Sequence, residues 1–168
     1  MRSTISALLD YAVLGGSLSR EPLDMNTLVA EVLVDLRARI GEGTVVVEDL
    51  PTMWGDDVQV RAVTQNLVAN ALKYAGAAPR VRVHAESADG VTRLVVSDNG
   101  PGVTPADRAA IFDLHVRGDA QASAGIEGLG IGLATCRRIL DAHGGRIGVE
   151  DSAEGGAAFW FELPDRPA

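Results

Sequence analysis

The chain has a single cysteine, Cys136, so it cannot close an internal disulfide, and a reducing cytoplasm is its expected compartment. No apolar run approaches the roughly 18 to 20 residues that a membrane span requires. The start, Met1 to Asp10, lacks the basic region, apolar core and cleavage site of a secretory signal. Membrane contact by this domain is therefore not expected. Basic residues are also short, 15 against 23 acidic, which leaves a net charge of −8. That sign is wrong for a surface that holds a phosphate backbone, so nucleic acid is not an expected partner.

What is present suits one packed domain: 168 residues, 46% of them hydrophobic. Ile5, Leu8, Leu9, Ala12 and Val13 form one apolar stripe on a short helix that ends at Gly15-Gly16. A second helical period runs from Leu23 to Ile40, with Asp24 and Asn26 available as caps. Thr44 to Glu48 is a β-branched run, followed by a loop at Pro51. A long helical pattern follows over Asp56 to Tyr74 and stops at Gly76 to Pro79. Two alternating stretches, Arg80 to Glu86 and Thr92 to Asp98, flank Asp89-Gly90, a tight-turn dipeptide.

A short helical piece is expected from Pro105 to Phe112, then a loop of small residues through Gly128. The next helix runs from about Leu129 to His143 and stops at Gly144-Gly145. A second hairpin joins Arg146 to Glu150 with Ala157 to Leu163 across Glu154-Gly155-Gly156. The sum predicts an α/β domain, a two-layer α+β sandwich whose helices cover one face of a sheet.

Three groups of residues carry chemistry. On the long helix Asn66, Asn70, Lys73 and Tyr74 recur at i, i+4, i+7 and i+8 and share a face. An amide oxygen suits Mg²⁺ that already holds nucleotide phosphates, and an ammonium meets the phosphates directly. Asp98-Asn99-Gly100-Pro101-Gly102 follows the apolar strand Leu94-Val95-Val96, where glycine permits close approach of backbone to a ligand. A buried carboxylate there accepts from the exocyclic amine of adenine and faces the carbonyl of guanine unfavourably. The third group, Gly128-Leu129-Gly130-Ile131-Gly132-Leu133, opens a helix, whose free amides and dipole favour phosphate. It is neither a P-loop, lacking Lys-Ser or Lys-Thr, nor a dinucleotide fingerprint, since Leu133 replaces the last glycine.

In this order the three groups resemble the N, G1 and G2 boxes of histidine kinase ATP-binding domains, which share the Bergerat fold with gyrase and heat-shock chaperone ATPases. Glu21-Pro22-Leu23-Asp24, Leu50-Pro51, Gly55-Asp56 and His143-Gly144-Gly145 also match that family's scaffold, so the resemblance covers nearly the whole chain. It implies a mixed, mostly antiparallel sheet and ATP and Mg²⁺ as ligands. By position, Asn70 would bind Mg²⁺, Lys73 the phosphates, Tyr74 the nucleoside wall and Asp98 the adenine amine. Gly100 and Gly102 would shape the adenine pocket, Gly128, Gly130 and Gly132 would form the lid hinge, and Leu129 and Leu133 beside them would line the cofactor site. Ile111 to Arg117 resembles the F box, although Leu114 replaces a frequent arginine and His115-Val116 an aromatic pair. Arg117 matches and is the candidate for γ-phosphate stabilisation.

Hydrolytic members of the superfamily usually place a glutamate one helical turn before the Mg²⁺-binding asparagine. Here that position is Asn66, whose amide has no useful basicity. This favours phosphoryl transfer to a histidine over a gyrase-like ATPase, and over the related serine kinases that bind sigma factors. None of His84, His115 and His143 has the His-Glu context of an acceptor helix. The resemblance implies an acceptor on a separate dimerisation domain, a homodimeric parent and a downstream response regulator. Residues 1–19 would be the tail of that dimerisation domain's second helix, and residues 20–168 the catalytic domain. The alternatives are a nucleotide-dependent binding module without transfer activity, or a serine kinase or ATPase of the same superfamily.

Overall fold

The computed structural model describes residues 17–113 and 132–166. The helix expected over Ile5 to Leu14, the residues Leu114 to Arg117, and Gly128, Leu129 and Gly130 lie outside them. In chain order the elements are β1 (Arg20–Asp24), α1 (Met25–Asp35), α2 (Arg37–Ile40), β2 (Thr44–Val47), β3 (Thr52–Asp56), α3 (Asp57–Tyr74), β4 (Arg80–Ala88), β5 (Val91–Asp98), a single 3-10 turn (Ala110–Phe112), α4 (Gly132–Ala142), β6 (Arg146–Asp151) and β7 (Ala157–Pro164).

Five strands form one sheet in the order β2-β4-β5-β7-β6, and β1 pairs with β3 in a separate two-stranded ribbon. Only the β2–β4 pair is parallel; the rest are antiparallel. The expected mixed, mostly antiparallel sheet is therefore the one observed. The β4–β5 turn takes both Asp89 and Gly90 to positive φ, 54° and 77°, as a two-residue hairpin of right-handed twist requires.

Period-two alternation divides the sheet into two chemically different faces. Val81, Val83, Leu94, Val96, Phe159, Phe161 and Leu163 face inward and are all buried. Against them α3 sets Val60, Val63, Leu67, Val68, Ala71 and Leu72, and α4 adds Cys136, Ile139 and Leu140. Leu67 is fully buried, so Leu67→Ala would cost about 2–5 kcal/mol. Cys136 is a core residue, as its place on α4 suggests.

Among the described residues no helix lies over the other face, which is covered by its own side chains. Across β4, β5, β7 and β6, Glu86, Arg93, Glu162 and Arg146 stand in one register row, and Glu162 accepts ion pairs from both arginines. The adjacent row brings Val95 beside Trp160 and Gly148. Arg93 lies 3.8 Å above the indole, and the absent side chain of Gly148 leaves room for the ring. Val95 is thereby buried without a second layer.

Three expected elements are corrected. The helix expected from Leu23 begins at Met25, because Leu23 belongs to β1, paired with Met53 of β3. Asp24 is the N-cap in extended conformation, accepting from the Asn26 and Thr27 amides. The same helical run is also broken at Leu36 (φ −96°, ψ 5°), so that α2 stands apart from α1. The residues after Pro51 form β3 where a loop is expected. Five-residue strands with Pro22 in one and Gly55 in the other give little alternation to detect. The helical piece expected after Pro105 reduces to turns and one 3-10 turn, anchored by Phe112 packing edge-on to Phe159 at 6.3 Å.

Candidate functional site

Why α3 forms where it does is local: the Asp56 side chain accepts the Gln59 amide at its start, and Gly76 (φ +84°) follows its C-cap, Ala75. The buried stripe of this helix faces the sheet. Asn66, Asn70 and Tyr74 are half-buried along its flank and Lys73 is exposed, so the i, i+4, i+7, i+8 grouping stands on one face. Lys73 Nζ lies 5.5 Å from the Tyr74 ring centroid. It is also the only lysine in the chain.

The C-terminal end of α3 abuts the loop that follows β5. A Cβ on Gly100 would come within 2.8 Å of the Tyr74 carbonyl oxygen, so only glycine fits there. Gly102, at φ +75°, turns the chain away from the strand end.

Asp98 terminates β5 on the inner face of the sheet and is only 3% exposed. Its Oδ1 accepts the Gly100 amide at 2.8 Å and the Ala157 amide at 3.1 Å. Burial pushes this carboxyl above its ordinary range, and the two backbone bonds oppose that shift. Both bonds fall on Oδ1, and among the described residues Oδ2 receives none. Among the described residues Oδ2 is thus left as an acceptor for a further donor.

The Ala157 bond identifies residues that the sequence pattern did not single out. Gly156 donates its amide to the Asp98 carbonyl at 3.1 Å, and a methyl group on it would overlap Asp98 Oδ1. Gly155 supplies the positive φ of the β6–β7 turn, +96°, whereas Gly156 is required for space. One available signal was the doubled glycine, since the turn itself accounts for only one of the two.

The third group enters through α4. Gly132 packs on α3 so closely that a Cβ would stand 2.9 Å from Asn66 Oδ1, while Asn66 Nδ2 donates to the Ala62 carbonyl at 3.0 Å. Leu133 is half-buried and packs against the core. The structure therefore brings Asn66 to Gly132, and Tyr74 to Gly100 and Asp98. Gly128, Leu129, Gly130 and Arg117 lie outside the described residues.

The donor set fits a purine nucleotide with its metal. One buried carboxylate is cradled by positions without side chains, and half-buried amides and an ammonium stand on the adjoining helix face. Of the histidines, His143 has both ring nitrogens engaged, Nδ1 with the Ile139 carbonyl at 2.7 Å and Nε2 accepting the Asp56 amide at 3.1 Å. His84 lies on the helix-free face of β4, 3.5 Å from Glu86.

Residues 55–167 match the family model described as histidine kinase-, DNA gyrase B-, and HSP90-like ATPase. The sensor protein KdpD of Escherichia coli (strain K12) is 35% identical over 169 residues, which is 98% of this chain and 19% of KdpD. The crystal structure of full-length ShkA in complex with AMPPNP is 34% identical, with a TM-score of 0.79 over 99% of this chain and 36% of that one. The mycobacterial sensor histidine kinase MprB is 29% identical, with a TM-score of 0.76 over 89% of this chain and 100% of that one. The chain thus spans about a fifth of KdpD and the whole of the MprB chain.

Proposed function

Since the chain belongs to the histidine kinase-, DNA gyrase B-, and HSP90-like ATPase family, as an ATP-binding catalytic domain of the sensor histidine kinase kind, we propose that it binds Mg²⁺-ATP and donates the γ-phosphate to a histidine on an adjoining dimerisation domain. The observation that carries the reading is Asp98, whose Oδ1 is held by two backbone amides while Oδ2 is left to accept the adenine amine. Bound Mg²⁺ supplies neutralisation of charge on the phosphates. Asn70 would hold it, Lys73 would meet the phosphates, and Tyr74 would wall the nucleoside. Gly100 and Gly102 keep the adenine end free of side chains, and Gly132 and Leu133 open α4 on the phosphate side. Arg117, Gly128, Leu129 and Gly130, carried over from the family pattern, complete the proposed phosphate side.

Two features support transfer over hydrolysis. Asn66 stands one turn before Asn70 with its Nδ2 committed to the Ala62 carbonyl, and an amide does not take a proton from water. His143 cannot serve as nucleophile with both ring nitrogens bonded. An acceptor in a separate domain, in a homodimeric parent with a downstream response regulator, is the arrangement that follows. In-line positioning by contact between the domains would then control the reaction.

The test incubates the purified chain with γ-labelled Mg²⁺-ATP, alone and with a histidine-bearing dimerisation domain, and records protein label and free phosphate. Label on the acceptor with little free phosphate is expected. Steady phosphate release from the chain alone would refute the kinase assignment. The departures Leu114, His115 and Val116 from the F box favour a second reading, a nucleotide-dependent binding module; binding without label on any acceptor would establish it.

A further inference from the structure

Two helices carry the phosphate half of the proposed site, α3 with Asn66 and Asn70, and α4 starting at Gly132. Besides the apolar core that they share, two further contacts link these segments. The first is at the site, where Gly132 is packed on Asn66 Oδ1 without room for a methyl group. The second joins the residue before α3 to the residue after α4, roughly 15 Å from the first along either axis, where the Asp56 amide donates to His143 Nε2 at 3.1 Å.

That far contact is assembled from three segments. Asp56 Oδ1 caps α3 through the Gln59 amide, and its Oδ2 accepts the Ser19 amide at 3.1 Å. Arg20, the first residue of β1, donates from its guanidinium to the Ala142 carbonyl at 2.9 Å, which satisfies an orphan acceptor at the end of α4. His143 donates from Nδ1 to Ile139, one turn back, so its ring is fixed at both nitrogens. The chain leading into the domain is therefore bonded directly to the last turn of α4 and to the first turn of α3.

We propose that Arg20 and His143 are positioning residues for the phosphate half of the nucleotide site, fixing the far end of α4 so that Gly132 keeps its place against Asn66. This rests on the Mg²⁺-ATP reading above. The physical link is the stiffness of a hydrogen-bonded helix: a shift of Ala142 along or about the axis is delivered to Gly132, and no side chain stands between Gly132 and Asn66 to absorb it. The adenine half has no such dependence, because Asp98 is held by Gly100, Gly156 and Ala157. A displacement of the chain at Ser19 and Arg20 thereby acts on phosphate binding and leaves adenine recognition alone.

Calorimetric titrations of Mg²⁺-ATP and of adenosine into the 168-residue chain, with Arg20→Ala, His143→Leu and His143→Gln beside wild type, test this. Hydrogen exchange of residues 132–142 and 156–158 is followed in parallel. Loss of one bond at the far contact is expected to weaken Mg²⁺-ATP by about three- to tenfold. Arg20→Ala should do so with adenosine affinity unchanged, and with faster exchange in α4 but not at residues 156–158. His143→Gln, whose amide oxygen can accept the Asp56 amide, should recover most of what His143→Leu loses. Equal losses for both ligands would show general loosening of the fold and overturn the proposal. So would unchanged Mg²⁺-ATP affinity in Arg20→Ala. Failure of wild type itself to bind Mg²⁺-ATP is a separate result that removes the nucleotide reading first.

Discussion

The backbone amide of Ala157 donates to Asp98 Oδ1 at 3.1 Å, joining residues 59 positions apart in the sequence. The carboxylate at the end of β5 is thus oriented by the turn that precedes β7, and the proposed adenine end of the site is complete only when the C-terminal hairpin is in place. Gly100 supplies the second amide from the loop itself. An acidic side chain bonded in this way holds one rotamer and keeps one oxygen for the ligand.

Asp98→Asn separates that recognition from folding. An amide oxygen can keep both backbone bonds, but the nitrogen beside it presents a donor to the adenine amine, so Mg²⁺-ATP affinity should fall by at least about tenfold. Stability should move the other way. Burial raises the folded-state pKa of Asp98 above the ordinary 3.8. As pH rises above 3.8 the unfolded chain releases its proton first, and wild type loses stability until the folded value is passed. The variant has no such loss, so its advantage in urea denaturation should be larger at pH 7 than at pH 3.5. A constant difference across that range would contradict this account.

The two glycines of the β6–β7 turn should respond differently. Gly155 has nothing within 4 Å of a Cβ and needs only its positive φ, so Gly155→Ala should cost about 1–2 kcal/mol and spare nucleotide binding. Gly156→Ala forces a methyl group onto Asp98 Oδ1, a local overpacking of about 1–3 kcal/mol that also displaces the carboxylate. Titration of Mg²⁺-ATP into both folded variants distinguishes them. Retained affinity in Gly156→Ala would mean that Asp98 is not oriented by this turn.

Much of this could be read in the sequence, and the limits have physical causes. The period of α3 is legible because its buried stripe runs the length of the helix, and Asp98 is legible because an apolar strand ends in glycines beside it. The positioning of Asp98 by Gly156 and Ala157 is a contact between distant segments, and alternation along one strand says nothing about it. The same holds for β1 and β3, whose pairing leaves only Leu23 and Met53 as buried apolar side chains. His143 reads as a helix-end residue before Gly144-Gly145. Its two ring bonds appear only once Asp56 and Ile139 are brought to it.

Lys73, the chain's only lysine, allows a direct chemical probe of the phosphate side. It is exposed on α3 next to Tyr74, so an amine-specific acylating reagent should modify it together with the terminal amine. At Mg²⁺-ATP concentrations about ten times Kd, modification of Lys73 should slow by about tenfold, following site occupancy. The terminal amine is the internal reference. Equal rates at Lys73 with and without Mg²⁺-ATP would place the phosphates elsewhere.

His143 should give the fold a pH dependence of its own. Burial lowers its pKa below the ordinary 6.5, with Arg20 acting in the same direction, while the Ile139 carbonyl and Asp56 oppose the shift. Protonation would also remove the lone pair on Nε2 that accepts the Asp56 amide. Above pH 6.5 the imidazole is neutral in both states and the contact is intact. As pH falls below 6.5 the unfolded chain takes up its proton first, and stability is lost until the folded value is reached, where the loss levels off. His143→Gln retains an acceptor but has nothing to titrate. Urea midpoints measured at pH 7.5 and pH 5.5 should therefore converge between wild type and variant as the solution is acidified, because only wild type loses this contribution. Parallel profiles would mean that His143 is not held neutral by its burial, and that the contact between Asp56 and the end of α4 does not depend on an unprotonated ring.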